Sequence, residues 1–156
     1  MDEDVAQLML GLAKEDAAAA SALLPLDGVA DSIVGFHCQQ AVEKALKSAL
    51  ASREVRFPHT HDLAGLTELC RDSGLGVPQE LHGVERLARY GVQMRYGSAR
   101  GAPLDREQAL RWAGAAVEWA AELERARLRE RPDSWPSRDE KQDLWPSRSP
   151  DDRADR

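Results

Sequence analysis

Apolar residues recur every three to four positions along most of the chain, which is the spacing of an amphipathic α-helix. This pattern is interrupted at Pro25, at Pro58, at Gly74 and at the glycines at positions 97 and 101. The sequence therefore predicts five helices: residues 2–24, residues 28–52, a helix from Thr60 or His61 to just before Gly74, a helix from Pro78 to just before Gly97, and a last helix from Asp105 to about Arg129.

β-Branched residues are few and no alternating apolar run appears, so the pattern predicts no strands. The expected fold is all-α, a four-to-five-helix up-down bundle. Asp27 is the expected N-cap of the second helix, and Asp105 with Gln108 forms a capping box for the last one. Trp112 and Trp119 are expected in the core. One face of the second helix is also expected there: Val34, Cys38, Ala41, Val42, Ala45, Leu46 and Ala49.

The chain divides at about Arg131 into a helical domain, residues 1–131, and a tail, residues 132–156. The large apolar side chains of the tail are only Trp135, Leu144 and Trp145, too few to offset the entropy of ordering, so the tail is predicted to be disordered. A six-residue Trp-Pro segment around Trp135 recurs ten residues later around Trp145. It is either a drifted duplication or a paired docking motif with exposed aromatic anchors.

Composition excludes several classes of protein. The formal net charge of -6 excludes a uniformly basic surface, although not a local basic patch. No apolar run is long enough to span a membrane, and the start of the chain is acidic where a secretory signal is basic. Cys38 and Cys70 are far apart in sequence, which suggests a reducing, cytoplasmic environment. With no metal-ligand spacing and no glycine-rich phosphate loop, no metal and no cofactor are predicted.

The other side of the second helix carries a mixed stripe. Phe36, Gln40, Glu43 and Lys47 fall within about 60° of arc, with Ile33 beside them. Glu43 and Lys47 also have the favourable order for an i,i+4 ion pair. The stripe is either a solvated helix face or the wall of an interface or cleft, and the apolar side chains favour the second interpretation.

A cationic segment extends from Arg86 to Arg100 and contains four arginines, both tyrosines of the chain and no acid. Arginine binds phosphate and tyrosine stacks on bases, so the predicted ligand-binding residues here are Arg89, Tyr90, Tyr96 and Arg100. The alternative is that the arginine stems cover the end of the bundle while the tyrosines pack. A weaker basic zone could line the same groove: Lys44, Lys47, Arg53, Arg56, His59 and His61.

His61 lies at a predicted helix start, in Thr60-His61-Asp62-Leu63. Its role is either capping or a buried hydrogen bond, or that of a general acid or base, because an unperturbed histidine titrates near neutrality.

Three of these motifs together resemble the HEPN domain family: an F-x-x-Q-Q-A-x-E-K-A-L-K helix from Phe36 to Lys47, the Thr-His-Asp-Leu start, and Arg95-Tyr96 before an acid-capped last helix. The resemblance covers about residues 5–127. It implies a helical bundle, usually a homodimer, linked to RNA or nucleotides. It also implies a nucleotidyltransferase as a partner protein, as in toxin–antitoxin pairs.

Many members of the family are metal-independent ribonucleases with an Arg-x(4–6)-His motif near the start of a late helix. Here the fitting position is around Arg95, and no histidine follows it. Two strings that satisfy the pattern, Arg53 to His59 and Arg56 to His61, precede the third helix instead. If the protein is a nuclease, we expect Arg95 to stabilise phosphate charge and His61 to be the acid or base. The alternative is a protein-interaction or dimerisation module without catalysis.

Overall fold

The computed structural model describes residues 3–93 and 103–130, and within them five α-helices and two 3₁₀ turns. No strand occurs in these two ranges, which confirms the all-α prediction. The helices are α1 (Glu3–Leu23), α2 (Asp31–Ser52), α3 (Leu63–Asp72), α4 (Ala88–Gln93) and α5 (Arg106–Glu130). The 3₁₀ turns, Gln79–Leu81 and Val84–Leu87, lie between α3 and α4.

Helix α2 is the centre of the bundle and packs against the other four helices. The seven residues predicted for its core face are all fully buried. Most of them are small, and the facing positions of α1 and α5 include Ala13, Ala20, Ala113 and Ala116, so the helix axes can approach closely. Trp112 and Trp119 of α5 are buried as predicted. Burial of this face removes apolar surface from water and supplies the main driving force for folding.

The predicted cap of α2 is wrong. The helix begins at Asp31 after Ala30, which has no capping side chain. Before it, the N–H groups of Leu26 and Val29 donate to the carbonyls of Leu23 and Leu26, so the chain turns between Leu23 and Val29. Asp27 therefore lies within the α1–α2 connection. The carboxylate of Asp31 bonds instead to Arg106 and to the Leu104 N–H, which joins the start of α2 to the start of α5.

Helix α3 begins at Leu63, two to three residues later than predicted. Asp62 is extended, and the Thr60 hydroxyl accepts a hydrogen bond from its N–H group at 3.1 Å. This local turn satisfies the backbone outside the helix. As a result, His61 belongs to the connection between α2 and α3 and does not cap the helix.

The fourth predicted helix is interrupted, which corrects the expectation of one continuous helix from Pro78. Gly83 is left-handed at φ +93°, so the chain forms two 3₁₀ turns before the six-residue α4. A Cβ atom on Gly83 would lie 2.7 Å from the Arg86 guanidinium, which is the movable end of a long side chain, so the left-handed conformation is the main reason for a glycine here. Leu81, Val84 and Leu87 remain buried, because the interrupted backbone still turns them inward.

Helix α5 begins as predicted. The Asp105 carboxylate accepts a hydrogen bond from the Gln108 N–H at 3.0 Å, which is one half of the expected capping box. The Gln108 side chain accepts from Arg111 rather than completing the box. The Trp-Pro tail lies outside the described residues. Among the described helices, none combines the length and the apolar character that a bilayer crossing requires.

Candidate functional site

One narrow stripe of α2 is partly exposed to solvent, whereas every other residue of the helix from Val34 onward is buried. At 100° per residue the open side chains occupy about 100° of arc. They are Ile33, Phe36, His37, Gln40, Lys44 and Lys47, and we call them the α2 stripe. Four of the five residues predicted for a mixed stripe belong to it. The exception is Glu43, which is buried at one edge, so this part of α2 is not a simple solvated face.

Glu43 organises the first edge of the α2 stripe. Its carboxylate accepts hydrogen bonds from Lys47 Nζ at 2.7 Å and from Gln39 Nε2 at 2.8 Å. His61 Nδ1 lies 3.0 and 3.1 Å from its two oxygens. Gln39 is itself fully buried and accepts from Gln40 Nε2 at 2.7 Å. The network therefore connects two neighbouring turns of α2 with the α2–α3 connection.

Two opposing effects act on the pKa of the Glu43 carboxyl. Burial raises this pKa, because a charge is costly away from water. Hydrogen bonds from Lys47, His61 and Gln39, together with the Lys47 charge, lower it by more. The net direction is below the ordinary value, so Glu43 is ionised at neutral pH.

The ionised state of Glu43 fixes the orientation of His61. A carboxylate only accepts hydrogen bonds, so His61 Nδ1 must donate, and Nε2 of the neutral ring carries the lone pair. The His61 side chain is 55% exposed, and Nδ1 is the ring nitrogen that bonds within the described part of the chain. The structure thus combines an oriented imidazole with an accessible second nitrogen, which is the arrangement of a general base held by a carboxylate.

A second cluster borders the opposite edge of the stripe. Asp16 of α1 contacts His37 Nδ1 at 2.9 Å and Lys44 Nζ at 2.5 Å, and all three side chains are partly buried. Lys44 appeared in the predicted basic zone, but the cluster with Asp16 was not predicted. The signal was weak: Asp16 is a lone carboxylate before an alanine run, and nothing in the sequence shows that this turn of α1 faces Lys44.

The cationic segment approaches α2 through its first tyrosine, which is nearly fully buried. Tyr90 is 5% exposed and packs on Gly35, where a Cβ atom would lie 2.6 Å from the ring. This burial agrees with the packing alternative, and the role of Tyr90 in binding a base stays a prediction. The guanidinium of Arg89 lies 5.0 Å from the Tyr90 ring centroid. The other predicted residues of this segment lie outside the described residues: Arg95, Tyr96 and Arg100.

The two predicted basic regions flank the same side of α2. Gly35 contacts Tyr90, Gln39 contacts Gly91, and Glu43 contacts His61. These α2 positions are successive at i, i+4 and i+8, so they span about 12 Å along the helix. Tyr90, Gly91 and His61 therefore follow one another along one side of α2, and of their three contact positions only Glu43 borders the stripe.

The cysteines belong to the core. Cys38 and Cys70 are fully buried, and burial raises the pKa of each thiol to about 12. Both are consequently protonated and unreactive at neutral pH. Within residues 3–93 and 103–130, no group of three or more histidine, cysteine and acidic side chains is placed to hold a metal ion.

Comparison with known protein families identifies the chain. The model of the HEPN domain matches residues 6–125, which include the α2 stripe and both clusters. This chain belongs to the HEPN domain family. No curated protein and no solved structure matches it. The family match confirms the predicted family, and the segment from Phe36 to Lys47 lies in the central α2 of this HEPN domain.

Proposed function

We propose that this HEPN domain is an RNA- or nucleotide-associated module, a component or accessory of a toxin–antitoxin or nucleotidyltransferase-type system. In this proposal the HEPN domain, residues 1–131, acts in the cytoplasm as a homodimer beside a nucleotidyltransferase partner. The tail, residues 132–156, is a separate segment that carries the Trp-Pro motifs. The ligand is expected to lie along the α2 stripe.

The observation that carries the proposal is the order of charges at the stripe. At each edge a carboxylate lies deeper than the lysine it pairs with: Glu43 is 4% exposed against 13% for Lys47, and Asp16 is 14% exposed against 23% for Lys44. The lysine is therefore the more exposed partner of each pair, and Gln40 lies on the same face one turn before Lys44. Phosphate oxygens bind such cations, and an amide contacts sugar or base.

The apolar end of the stripe favours dimerisation as part of the same function. Ile33 is 37% exposed, and Phe36 beside it is half-buried. Large apolar side chains at this end suit contact with a second copy, while the lysines at the other end stay accessible. If the protein forms a dimer but binds no RNA or nucleotide at low salt, the alternative of a pure protein-interaction module is correct.

A second candidate, a metal-independent endoribonuclease, is favoured by the Glu43–His61 pair. His61 Nε2 would accept the proton of a ribose 2′-hydroxyl, whose oxygen then bonds to phosphorus as the bond to the 5′-oxygen breaks. The 5′-oxygen leaves with a proton supplied by water, and the products are a 2′,3′-cyclic phosphate and a 5′-hydroxyl. Arg95, the residue proposed to stabilise phosphate charge, lies outside the described residues.

We expect Gln40→Glu to weaken RNA binding about tenfold or more, because it adds a negative charge to the helix face that carries Lys44 and Lys47. Fluorescence anisotropy with a labelled single-stranded RNA measures the affinity. Gln7→Glu, on the exposed face of α1, is the matched control and should bind as the wild type does. Equal affinity of Gln40→Glu and Gln7→Glu would show that the stripe does not hold the RNA.

The same RNA, incubated without metal and resolved on a gel, tests the nuclease candidate. His61→Ala should abolish any cleavage, whereas His82→Ala, which removes another exposed histidine, should not. Cleavage that survives His61→Ala would exclude the proposed base. Absence of cleavage by the wild type, with binding retained, would leave the accessory function.

A further inference from the structure

A groove of about 390 Å³ runs along roughly the last three turns of α5. The described residues that line it all belong to this helix: Trp119, Glu122, Leu123, Arg125, Ala126 and Arg129. Within residues 3–93 and 103–130, no other element contributes to the lining. The groove therefore has one wall, and it is open to a second segment of chain. None of the roles argued above for the α2 stripe uses this groove.

The groove has an apolar floor and a charged outer side. Trp119, Leu123 and Ala126 follow one another at i, i+4 and i+7 and fall within about 60° of arc. Trp119 is buried, whereas Leu123 and Ala126 are partly exposed. Arg125 and Arg129 lie with one glutamate on the solvent side of this floor. A segment that fits the groove has a large apolar side chain for the floor and a carboxylate for the arginines.

The sequence that follows α5 contains such a segment. Asp133 precedes Trp135 by two positions, and Pro136 follows it directly. Alternate side chains of an extended segment point to the same side, so Asp133 and Trp135 can contact one helix face together. Pro136 fixes a backbone torsion and so reduces the conformational entropy that binding would cost. Residues 133–138 therefore match the groove in both apolar area and charge.

The same segment lies within reach of the groove. The described part of α5 ends at Glu130, next to Arg129 of the groove, and Pro132 then favours an end of the helix. Trp135 comes five residues after Glu130, and an extended connection of that length reaches about 17 Å. The middle of the floor lies only about 6–10 Å back along the helix axis. The tail can therefore return along α5 and place Trp135 on the groove of its own chain.

We infer that the groove on α5 binds residues 133–138 of the same chain, with the Trp135 indole on Trp119 and Leu123 and the Asp133 carboxylate toward Arg129. The second copy of the segment, around Trp145, begins ten residues further from the helix. Effective concentration falls roughly as the −3/2 power of linker length, which favours the first copy about fivefold. The copy around Trp145 is therefore left in solvent. This contact does not depend on RNA binding at the α2 stripe.

Fluorine NMR of the full chain, with fluorotryptophan at its four tryptophan positions, tests the inference. Trp135→Phe and Trp145→Phe assign the two signals of the tail. A fluorine exposed to solvent shifts when H₂O is replaced by D₂O, whereas a buried one does not. We expect the Trp135 signal to lose most of this solvent shift and the Trp145 signal to keep it.

Two variants of the groove should expose Trp135 and restore its solvent shift. Ala126→Glu fills the floor with a charged side chain, and Ala18→Glu, at an exposed alanine of α1, is the matched control. Arg129→Glu repels Asp133 from an exposed position and serves if Ala126→Glu unfolds, with the exposed Arg111→Glu as its control. Neither control should change the Trp135 signal.

A Trp135 signal with the same solvent shift as Trp145 would overturn the inference. Protection of Trp135 that survives both groove variants would also overturn it, because the indole would then bind elsewhere. In a mixing experiment, labelled Ala126→Glu is combined with unlabelled Trp135→Ala, whose groove has no first tail segment to fill it. Recovery of Trp135 protection in this mixture would show that the groove binds the tail of a second copy, which contradicts binding within one chain.

Discussion

Glu43→Ala should lower the free energy of unfolding by about 3–5 kcal/mol, the usual result when one partner of a buried ion pair is removed. Lys47 is 13% exposed and would keep its charge without its carboxylate. The fully buried amide of Gln39 would also lose its acceptor. Chemical denaturation of the two proteins measures the difference.

Glu118→Ala is the matched control for this substitution. Glu118 pairs with Arg125 on the exposed face of α5, and exposed pairs contribute about 0–1 kcal/mol. A Glu43→Ala protein as stable as Glu118→Ala would show that the buried network does not stabilise the bundle.

The pH dependence of stability gives a second result at Glu43. Because the pKa of this carboxyl is lower in the folded protein than its ordinary 4.5, ionisation stabilises the fold above pH 4.5. That contribution is lost as the pH falls through the folded-state pKa. The stability difference between the wild type and Glu43→Gln should therefore be constant near neutrality and shrink in acid. A difference that grows below pH 4 would mean that burial, not hydrogen bonding, dominates the pKa.

Arg106→Ala should lower the free energy of unfolding by about 2–3 kcal/mol. This is the range for the loss of hydrogen bonds from a charged group when their acceptors are left unsatisfied. Arg106 Nε donates to Asp31 at 2.6 Å, and its terminal nitrogens donate to the carbonyls of Leu24, Leu26 and Val29. One side chain thus joins the start of α5 to the α1–α2 connection and to the start of α2.

Arg106→Lys should recover little of this loss, since an ammonium cannot reproduce the planar fork that reaches the carboxylate and the carbonyls together. Arg111→Ala, one turn along α5, removes an exposed arginine whose ion pair with Glu107 is 3.9 Å long, and should change stability by less than about 0.5 kcal/mol. Thermal unfolding of the three variants compares them. Equal melting temperatures for Arg106→Ala and Arg111→Ala would contradict the role assigned to Arg106.

The helical periodicity was sufficient to predict the all-α fold and the core face of α2, because burial of one face depends mainly on residue spacing. The positions at which a helix is interrupted or capped were not predictable from this spacing. Gly83 interrupts a helix whose apolar spacing continues through it, and Asp27 is a good capping residue that the chain does not use. Residue spacing does not reveal the left-handed conformation of Gly83, and Asp31 at the observed start of α2 is held by Arg106, which lies 75 residues away in sequence.

The sequence predicted which residues form the candidate site but not which of their side chains are buried. Helical geometry placed Gln40, Glu43 and Lys47 together, and the Thr-His-Asp-Leu motif singled out His61. Periodicity alone could not show that Glu43 is buried, because the element that covers it is an irregular connection 18 residues away. The Asp16–Lys44 contact joins residues 28 apart and likewise required the packing of α1 on α2.

The salt dependence of RNA binding tests the central claim most directly, namely that the lysines of the α2 stripe hold a phosphate-containing ligand. Each phosphate neutralised on a single strand contributes about -0.7 to the slope of log K against log salt. We predict that the affinity for RNA falls steeply as the salt concentration rises from about 50 to about 200 mM. The slope of log K against log salt should be shallower for Gln40→Glu than for Gln7→Glu. An affinity that does not change with salt, or an identical slope for the two variants, would contradict the account.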